Sequence, residues 1–379
     1  MATTGPGKPV SASTARGGHE GHGGSGAGAP ARRSTIRDVA RQAGVSVATV
    51  SRVLADNYPV THTTRAKVLR AVRQLDYVAN AHAKALAGTG VETIALVLDD
   101  ITWSAFAQIG AGVEQEAARR GRLCLVCTTQ GDRQRELAVV NLMREQHAAA
   151  VILVGGIQYT TEYRERMSRF ARSLDSVGSR LVLCGRPPLA DDLPATVVEY
   201  DNEGGAYGAT AHLLSLGHRR ILFVGAQEGQ STADGRLSGY RGALADYRVA
   251  AAPELEREGL FLRDAGLRAV REALREQVAF TAVFAATDMV ALGALEGLRE
   301  AGLRVPDDVS LIGYDDIPMA NELTPRLTTV HVPYQELGRT AARLVLDRRD
   351  GVGGAEDRTR LSTHVVVRGS TAPPAPGPR

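Results

Sequence analysis

Residues 34–54 constrain the fold of this chain more than any other segment, because their pattern predicts two short amphipathic helices joined at a glycine. In the first helix, apolar residues recur at spacings of three and four and form one stripe. Ser34 or Thr35 can cap its start, and Asp38 lies near its positive end. Gly44 supplies the positive φ that ends the helix and turns the chain. The stripe consists of Ile36, Val39, Ala40 and Ala43.

The second helix begins after Ser46, which can cap it, and its two faces differ in character. One face is apolar, whereas the other is small, polar and basic. Thr63 can cap a third helix with its own apolar stripe, so the three helices share a core. This layout is a helix-turn-helix head, which places its second helix in the DNA major groove. The predicted core residues are Val50, Val53, Leu54, Val68, Leu69, Val72 and Leu75, and the outward ones are Val47, Ala48, Ser51 and Arg52.

The charge of this segment favours contact with nucleic acid. Between Ser34 and Gly88 there are eight Lys and Arg residues and three Asp residues, which gives a net charge of +5. The whole chain carries only +3, so the remainder is slightly acidic. A basic head on a near-neutral body is typical of a module that binds phosphates. The competing interpretation is a small helical domain with a solvated basic face.

The sequence of residues 36–54, IRDVARQAGVSVATVSRVL, closely resembles the DNA-binding head of the lactose-repressor/galactose-repressor (LacI/GalR) family of bacterial regulators. The resemblance continues through TRAKV at 64–68 and LDYVANAHAKALAG at 75–88, and it extends over residues 34–370. One departure is Ala79, where the family usually has proline before the asparagine.

The resemblance implies DNA contacts for the second helix. Arg52 occupies the position that usually reads a guanine, and the arginine fork matches two acceptors on that base. Val47 and Ala48 would touch base edges through apolar contacts, for example with thymine methyl groups. A nonspecific phosphate clamp is the alternative role for Arg52. The expected phosphate contacts, which would fix the register, are Ser46, Thr49 and Ser51.

Residues 80–90 resemble the hinge helix of this family, which forms only on DNA. Two such helices from a dimer enter the minor groove, where Leu86 would wedge between base pairs and permit a bend. The resemblance adds Asn80 and Ala83 to the DNA contacts. The segment is too short to be stably helical alone, so folding on binding is physically reasonable. Without the resemblance it would be interpreted as a linker.

From Glu92 onwards, short apolar runs alternate with helix-length amphipathic stretches, which predicts parallel sheets covered by helices on both faces. The length exceeds one small doubly wound unit, so we expect two lobes with a break near 187–196. The resemblance implies a periplasmic-binding-protein-like body that crosses between lobes three times, with the last crossing inside 310–332. Predicted strands are 93–98, 123–128, 150–154, 181–183, 221–224, 282–286 and 309–314; predicted helices are 105–120, 133–146, 203–216, 237–247, 267–276 and 289–301.

A ligand of such a body would bind between the lobes, at the carboxyl ends of the strands. The resemblance points first to Arg236, in GRLSGY, and to Asp315, in LIGYDD. A guanidinium and a carboxylate each form paired hydrogen bonds, which suits adjacent sugar hydroxyls. Lobe bridging or helix capping is the alternative role for this pair, and core packing is the alternative for the aromatic candidates. Further candidates are Trp103, Phe106, Gln230, Thr232, Phe261, and Thr287, which replaces the usual asparagine of an Asn-Asp pair.

Catalytic motifs are missing from the sequence, which contains no phosphate loop, nucleophile elbow or HExxH helix. His19 and His22 lie in a Gly-rich stretch without the spacing of a metal site. Cys124 and Cys127 fall within a predicted strand, where an offset of three points them to opposite faces. We therefore expect no enzyme, no metal site and no cofactor. Three cysteines in 379 residues fit a reducing cytoplasm.

The domain boundaries follow from these segments. Residues 1–33 are predicted to be a disordered extension, since they have few large apolar side chains and no apolar core of a signal peptide. The head covers 34–79, the hinge 80–90 and the two-lobed effector-binding and dimerisation body 91–370, and a Pro-rich disordered tail covers 371–379. No apolar run reaches 18 residues, which argues against a membrane span.

The sequence thus predicts an all-α helix-turn-helix head joined to an α/β body of two parallel sheets. We expect a cytoplasmic, ligand-responsive transcriptional regulator of the repressor type. A homodimer, or a tetramer, would bind pseudo-palindromic operator DNA, and a sugar or similar small polar effector would bind the cleft. The alternative is a transport-type sugar receptor without a transcriptional role, against which the head and the missing export signal argue.

Overall fold

A computed structural model of the protein describes residues 34–55, 59–77, 92–188, 192–352 and 357–375. The chain divides into two compact units, Met1–Gly90 and Val91–Arg379. The predicted N-terminal extension and the predicted hinge, with Asn80, Ala83 and Leu86, lie outside the described residues.

The described residues of the first unit form three helices, α1 (Ile36–Ala43), α2 (Val47–Ala55) and α3 (His62–Gln74). Thr35 and Asp38 form a capping box at the start of α1, and Gly44 ends it with a φ of 66°. The caps of α1 are therefore as predicted, but the side chain of Thr61 rather than Thr63 caps α3. The helices share a buried core of Val39, Ala40, Ala43, Val50, Val53, Val68 and Ala71.

One predicted core residue of the head is wrong. The side chain of Leu69 is 37% exposed, and Ala71 is buried in its place. Val68 and Ala71 are three positions apart and face α1 and α2, whereas Leu69 is one position further round the helix.

The N-terminal lobe of the second unit is a six-stranded parallel sheet with the strand order β11-β5-β4-β3-β1-β2. Its strands from β1 to β4 are apolar runs, and all but the edge strand β2 are buried, as expected for a sheet covered on both faces. Its elements are β1 (Thr93–Leu98), α4 (Ser104–Arg119), β2 (Leu123–Thr128), α5 (Arg133–Glu145), β3 (Ala150–Val154), α6 (Thr161–Asp175), β4 (Arg180–Cys184) and β5 (Ala195–Tyr200), with α11 (Tyr334–Arg349) and β11 (Arg358–Leu361) from later in the chain.

The C-terminal lobe is a second six-stranded sheet with the order β12-β10-β9-β8-β6-β7. All its pairs are parallel except the pair between β10 and the edge strand β12. Its elements are α7 (Asn202–Ser215), β6 (Ile221–Ala226), α8 (Ser231–Asp246), β7 (Glu256–Glu258), α9 (Arg263–Arg275), β8 (Ala282–Ala285), α10 (Asp288–Glu300), β9 (Ser310–Asp315), β10 (Thr328–His331) and β12 (His364–Val366).

The predicted two-lobed α/β architecture is confirmed, but several elements escaped prediction. Strand β5 follows a Pro- and Asp-rich loop, β10 has only four residues, and β7, β11 and β12 are short edge strands, of which β7 and β11 are mostly polar. Helices α6 and α11 are rich in arginine, so their overall composition is polar and their apolar stripes are difficult to recognise in the sequence. Burial of a narrow stripe is enough to fix such helices on a sheet.

The chain crosses between the lobes three times, as predicted, but not at the predicted places. The first crossing lies at Asp201, between β5 and α7, because residues 195–200 form a fifth strand of the first sheet. The second lies at Val332 and Pro333, between β10 and α11, and the third lies at 362–363. The predicted break at 187–196 and the predicted last crossing within 310–332 are therefore wrong.

The predicted disordered tail also begins too early. The backbone N–H of Ala372 donates to Ser310 Oγ at 3.0 Å, and its carbonyl oxygen lies 2.9 Å from His218 Nε2. The hydroxyl of Thr371 lies 3.0 Å from His212 Nε2. These contacts fasten the start of the segment to the C-terminal lobe, and residues 376–379 lie outside the described part of the chain.

The cysteines lie on strands as predicted. Cys124 and Cys127 pair in register with Ile94 and Val97 on β1, whose side chains point to opposite faces of the sheet. Both thiols and that of Cys184 are free, and burial raises the pKa of Cys124 to about 11. Within the described residues there is no group of three or more metal-binding side chains. None of the helices that the structure describes is long and apolar enough to cross a membrane.

Candidate functional site

Helix α2 presents the predicted outward face to solvent. Val47 is 41% exposed, and Ala48, Ser51 and Arg52 are also exposed. Val50 and Val53, on the other side of the helix, are buried against α1 and α3. The orientation that base reading requires is therefore set by the helix's own apolar stripe.

Ser46 and Thr49 together cap α2. The hydroxyl of Ser46 accepts the backbone N–H of Thr49 at 3.1 Å and lies 2.8 Å from the hydroxyl of Thr49. This arrangement satisfies one of the free N–H groups at the helix start. Both residues thus have a structural role, and their contacts with phosphates stay a prediction.

In the body, Arg236 and Asp315 are brought together although 79 positions separate them. Arg236 projects from α8 and Asp315 ends β9, and Nη2 of the arginine lies 2.9 Å from Oδ1 of the aspartate. Only 1% of the Arg236 side chain is exposed, so this is a buried ion pair. Both residues belong to the C-terminal lobe, which means that the pair itself does not bridge the lobes.

The guanidinium of Arg236 is enclosed on every side. It stacks 3.8 Å above the ring of Tyr314, and the ring of Phe261 lies 5.5 Å away. Its Nε donates to Oδ1 of Asn202 at 3.0 Å, and Nη1 donates to the carbonyl oxygen of Ala286. Aromatic faces and backbone carbonyls both favour a cation, which compensates for its removal from water.

Two tyrosines from the N-terminal lobe reach this pair at the crossings. The hydroxyl of Tyr334 donates to Asp315 Oδ1 at 2.7 Å, and Arg236 Nη2 lies 3.4 Å from the hydroxyl of Tyr200. The two rings contact each other edge to face at 5.6 Å. Tyr200 ends the strand before the first crossing, and Tyr334 begins the helix after the second. The ion pair is therefore joined to the first and the second interlobe crossing.

Burial and charge act in opposite directions on this pair. Burial is the largest influence and would lower the pKa of Arg236, but the carboxylate of Asp315 and the neighbouring Tyr200, Tyr334 and Tyr314 together hold that pKa well above its ordinary value. Burial raises the pKa of Asp315, while Arg236 and Tyr334 oppose the rise. The guanidinium keeps its charge, and the carboxylate is held by two donors on one oxygen.

The aromatic candidates of the N-terminal lobe form a separate group. Trp103 and Phe106 stack with their centroids 5.3 Å apart at the start of α4. Gly155, after β3, has a φ of 90° and leaves the space that the Phe106 ring fills. Phe106 is half-buried, whereas Trp103 is 43% exposed, so these rings form a surface rather than a sealed core.

Gln230 and Thr232 lie where the two lobes touch. Residues 157–159 and 229–231 run antiparallel, with Ser231 N–H donating to Ile157 O at 2.9 Å and Tyr159 N–H donating to Gly229 O at 3.0 Å. Gly156 faces the side chains of Gln230 and Thr232 so closely that no Cβ would fit. We call residues 156–159 and 229–232 the interlobe clasp.

Thr287 caps α10 through a hydrogen bond from Val290 N–H to its hydroxyl at 3.2 Å. It is 5% exposed, and this contact is of the helix-capping kind. Its role in ligand binding is untested and stays a prediction.

A cavity of about 160 Å³ lies between the lobes, bounded by the carboxyl ends of β4 and β5 and by the starts of α7 and α8. Thr232 is the only predicted effector residue in its lining; the sequence interpretation missed the other contributors. Asn202 follows an aspartate helix cap and could have been suggested by its position after a strand. The remaining described lining residues are Gly185, Arg186, Pro187, Glu199, Tyr200, Glu203, Ser231, Gly235 and Arg360.

Known proteins resemble both units of the chain. Residues 35–80 match the model of bacterial regulatory proteins of the lacI family, and residues 210–371 match that of the periplasmic binding protein-like domain. The HTH-type transcriptional regulator CelR of Thermobifida fusca is 35% identical over 344 residues, which cover 89% of this chain and 98% of that relative. This chain belongs to the LacI family of transcriptional regulators.

Solved structures agree with that assignment. A lac repressor dimer bound to operator and the anti-inducer ONPF has a TM-score of 0.78 and 27% identity, covering 90% of this chain and all of that one. A complex of the transcriptional regulator CelR with cellobiose has a TM-score of 0.64 and 33% identity, covering 89% and 100%. This LacI-family chain is thus a DNA-binding transcriptional regulator with a periplasmic-binding-protein-like domain, not an enzyme.

Proposed function

We propose that this regulator acts as a ligand-controlled repressor, in which the interlobe cleft senses a sugar or a similar small polar molecule. The observation that carries the proposal is the buried Arg236–Asp315 pair, which contacts residues of two interlobe crossings. A ligand that binds this pair therefore acts next to two interlobe crossings, which would couple binding to movement of the lobes.

The chemistry of the pair suits hydroxylated ligands. Oδ1 of Asp315 accepts from both Arg236 and Tyr334, whereas Oδ2 has no hydrogen-bond donor among the described residues. A carboxylate oxygen of this kind can accept a ligand hydroxyl, and the aromatic rings of Phe261, Phe106 and Trp103 can cover an apolar sugar face. The cavity of about 160 Å³ lies beside this pair, since Tyr200 and Asn202 line it and both contact Arg236. We propose that a ligand enters this space when the clasp opens.

On the DNA side, Arg52 is proposed to read a guanine, and Val47 and Ala48 to contact neighbouring base edges. A dimer would place two heads on the halves of a pseudo-palindromic operator. The structurally similar lac repressor is a dimer on its operator, which supports this arrangement. The edge strand β2 exposes Leu123, Leu125 and Val126, an apolar surface that a second copy could cover.

The proposed mechanism has two states that differ in the angle between the lobes. Effector binding favours one state only by the difference in its affinity for the two, and by linkage DNA binding favours one state in the same way. The effector either releases the operator or promotes its binding, and operator affinity measured with and without the bound effector determines the sign.

Operator binding is tested by selecting sequences from random duplexes with the full-length protein and measuring affinity against salt concentration. We expect a selected pseudo-palindrome whose affinity falls steeply as salt rises, because phosphate contacts release counterions. Binding that shows no sequence preference at any salt concentration would exclude a repressor and favour the transport-type receptor.

Effector binding is tested by a thermal-shift screen of monosaccharides, disaccharides and nucleosides, repeated with titration of intrinsic fluorescence. Trp103 is the only tryptophan of the chain, so the fluorescence signal reports on the cleft. Asp315→Asn removes the charge at nearly constant shape and should abolish the response. Asp246→Asn, an exposed carboxylate bonded to Tyr207, is the matched control and should retain it. A response that survives Asp315→Asn would exclude this site.

A further inference from the structure

The turn that carries Asp315 has an unusual backbone. Asp315 has a φ of 108° and Asp316 a φ of 55°, so two consecutive non-glycine residues lie at positive φ. L-residues rarely adopt such angles, and they persist only where the surroundings hold them. The direction of the Asp315 side chain therefore depends on whatever fastens this turn.

Asp288, the first residue of α10, fastens the far side of the turn. One of its carboxylate oxygens, Oδ2, accepts the backbone N–H of Ile317 at 2.9 Å. The other, Oδ1, accepts the hydroxyl of Thr329 on β10 at 2.6 Å. Asp288 is 1% exposed, and both of its oxygens are committed to the loop and strand beside Asp315.

The neighbouring strand is shaped to receive this carboxylate. Gly313 on β9 lies against Asp288, and a Cβ at that position would clash with Oδ1. Three elements, namely α10, the end of β9 and β10, thus converge on one side chain. Burial and the negative charge of Asp315 raise the pKa of Asp288 well above its ordinary value, while the bonds from Thr329 and Ile317 oppose the rise.

Asp316 is held separately, on the outer side of the turn. Its Oδ2 lies 2.9 Å from His331 Nδ1, and its Oδ1 accepts from Arg368 at 2.7 Å. These contacts fix the Asp316 side chain but leave the N–H of Ile317 to Asp288. The two anchors therefore act at different points of the turn, and Asp288 is the side chain that accepts the backbone N–H of Ile317.

Helix capping does not explain Asp288. Thr287 already caps α10, and the side chain of Asp288 turns away from the helix N–H groups towards β9 and β10. No arginine, lysine or histidine of the described chain hydrogen-bonds to it. A buried carboxylate without a cationic partner is costly and calls for a function beyond packing.

We propose that Asp288 is a positioning residue for the effector site, which holds the turn at 315–317 so that Asp315 faces Arg236 and Tyr334. The consequence for a ligand rests on the proposed function, whereas the consequence for the turn does not. An asparagine at 288 can still accept the Ile317 N–H and can donate to the Thr329 hydroxyl, whereas an alanine can do neither.

The test measures hydrogen exchange of the full-length protein by mass spectrometry, on peptides spanning residues 313–320. For Asp288→Ala we expect at least roughly tenfold faster exchange at Ile317, because its N–H loses its acceptor. For Asp288→Asn we expect exchange within about twofold of wild type, since the acceptor remains. Thr210→Val is the matched control, a buried threonine of the same lobe that bonds only within its own helix, and it should leave this peptide unchanged.

Wild-type protection of Ile317 in Asp288→Ala would overturn the proposal. Should that variant not fold, Thr329→Val is used instead, because it removes one of the two donors and should accelerate exchange to a smaller degree. Slow exchange in Thr329→Val would then also count against the proposal.

A second experiment measures ligand binding: the full-length protein is titrated with cellobiose and with ribose, and Trp103 fluorescence is recorded. We expect Asp288→Ala to weaken binding of the responding sugar at least tenfold and Asp288→Asn to restore it. Equal affinity in all variants would contradict the positioning role. If neither sugar nor any other compound of the screen binds the wild type, the proposed function fails, while the exchange experiment still decides the role of Asp288 in the turn.

Discussion

The exposed face of α2 and the buried Arg236–Asp315 pair are the two candidate functional regions of this protein, and they are built in opposite ways. Arg52 lies on the surface of one short helix, whereas Arg236 is 1% exposed and meets partners from four separate segments. The face proposed to read DNA lies on one helix and its cap. The proposed effector site forms only when both lobes and their crossings are assembled.

Substitutions in the two regions should therefore affect the stability of the fold to different degrees. A surface arginine acts on a partner and contributes little to the fold, whereas a buried arginine stabilises the fold through a specific carboxylate. Exposed substitutions commonly change stability by within about 0.5 kcal/mol, but breaking one side of a buried ion pair costs about 3–5 kcal/mol.

Arg236→Met should give the largest effect. It leaves Asp315 buried without its cation, so the free energy of unfolding should fall by about 3–5 kcal/mol. Denaturant unfolding followed by Trp103 fluorescence measures this change. Arg268→Met, an exposed arginine of α9 in the same lobe, is the control and should change stability by less than about 0.5 kcal/mol. Equal losses in the free energy of unfolding of the two variants would mean that the buried pair stabilises the fold no more than an exposed arginine does.

The interlobe clasp offers the second test. Gln158 and Gln230 face each other in an antiparallel bridge, whose Cα atoms lie about 4.5–5.5 Å apart, a span that a disulfide can cover. The double variant Gln158→Cys/Gln230→Cys should oxidise to a cross-link that raises the free energy of unfolding by about 2–4 kcal/mol.

The oxidised double variant should also exchange effector much more slowly than wild type, and reduction should restore the wild-type rate. Each single cysteine variant serves as a control. Unchanged effector exchange in the cross-linked protein would show that ligands reach the site without opening the clasp.

On the exposed side of the comparison, Arg52→Ala should lower discrimination between the selected operator and a site with one changed guanine by about 1–3 kcal/mol. Arg41→Ala removes another exposed arginine of the head, from α1, and should weaken all sequences alike. Competition binding with matched duplexes separates the two effects. If Arg52→Ala also weakens all sequences equally, Arg52 is a phosphate clamp rather than a base reader.

The smallest expected effect concerns pH. Burial and the charge of Asp315 raise the pKa of Asp288 well above its ordinary value of 3.8. A carboxyl group that binds its proton more tightly in the folded state stabilises the fold at acid pH. This stabilisation is lost as pH rises from about 4 through the raised pKa.

Asparagine does not titrate, so Asp288→Asn does not lose stability in this way. The free energy of unfolding of this variant minus that of the wild type should therefore increase with pH and then level off. Denaturant unfolding at a series of pH values measures the difference. Parallel stability curves for the two proteins would show that Asp288 does not titrate differently in the folded and unfolded states.

Local sequence patterns are enough to predict the helices of the head and most strands of the two sheets. Helical periodicity with Gly44 and Ser46 predicts the orientation of α2, because side-chain direction on a helix follows from residue spacing alone. The apolar runs of β1, β3 and β4 also predict their strands, since strands buried on both faces need continuous apolar sequence. Motif resemblance then singled out Arg236 and Asp315, which the structure brings into contact.

The groups that surround Arg236 and Asp315 follow from the tertiary structure and could not be predicted from the sequence. Tyr200, Tyr334 and Asn202 have no local pattern that marks them, because their role depends on where the chain crosses between lobes. Gln230 and Thr232 lie in the clasp for the same reason. Asp288 resembles a helix-cap residue in sequence, and its contact with Ile317 appears only when α10, β9 and β10 meet. Local spacing fixes the direction of a side chain, whereas a partner that is distant in sequence is fixed by packing alone.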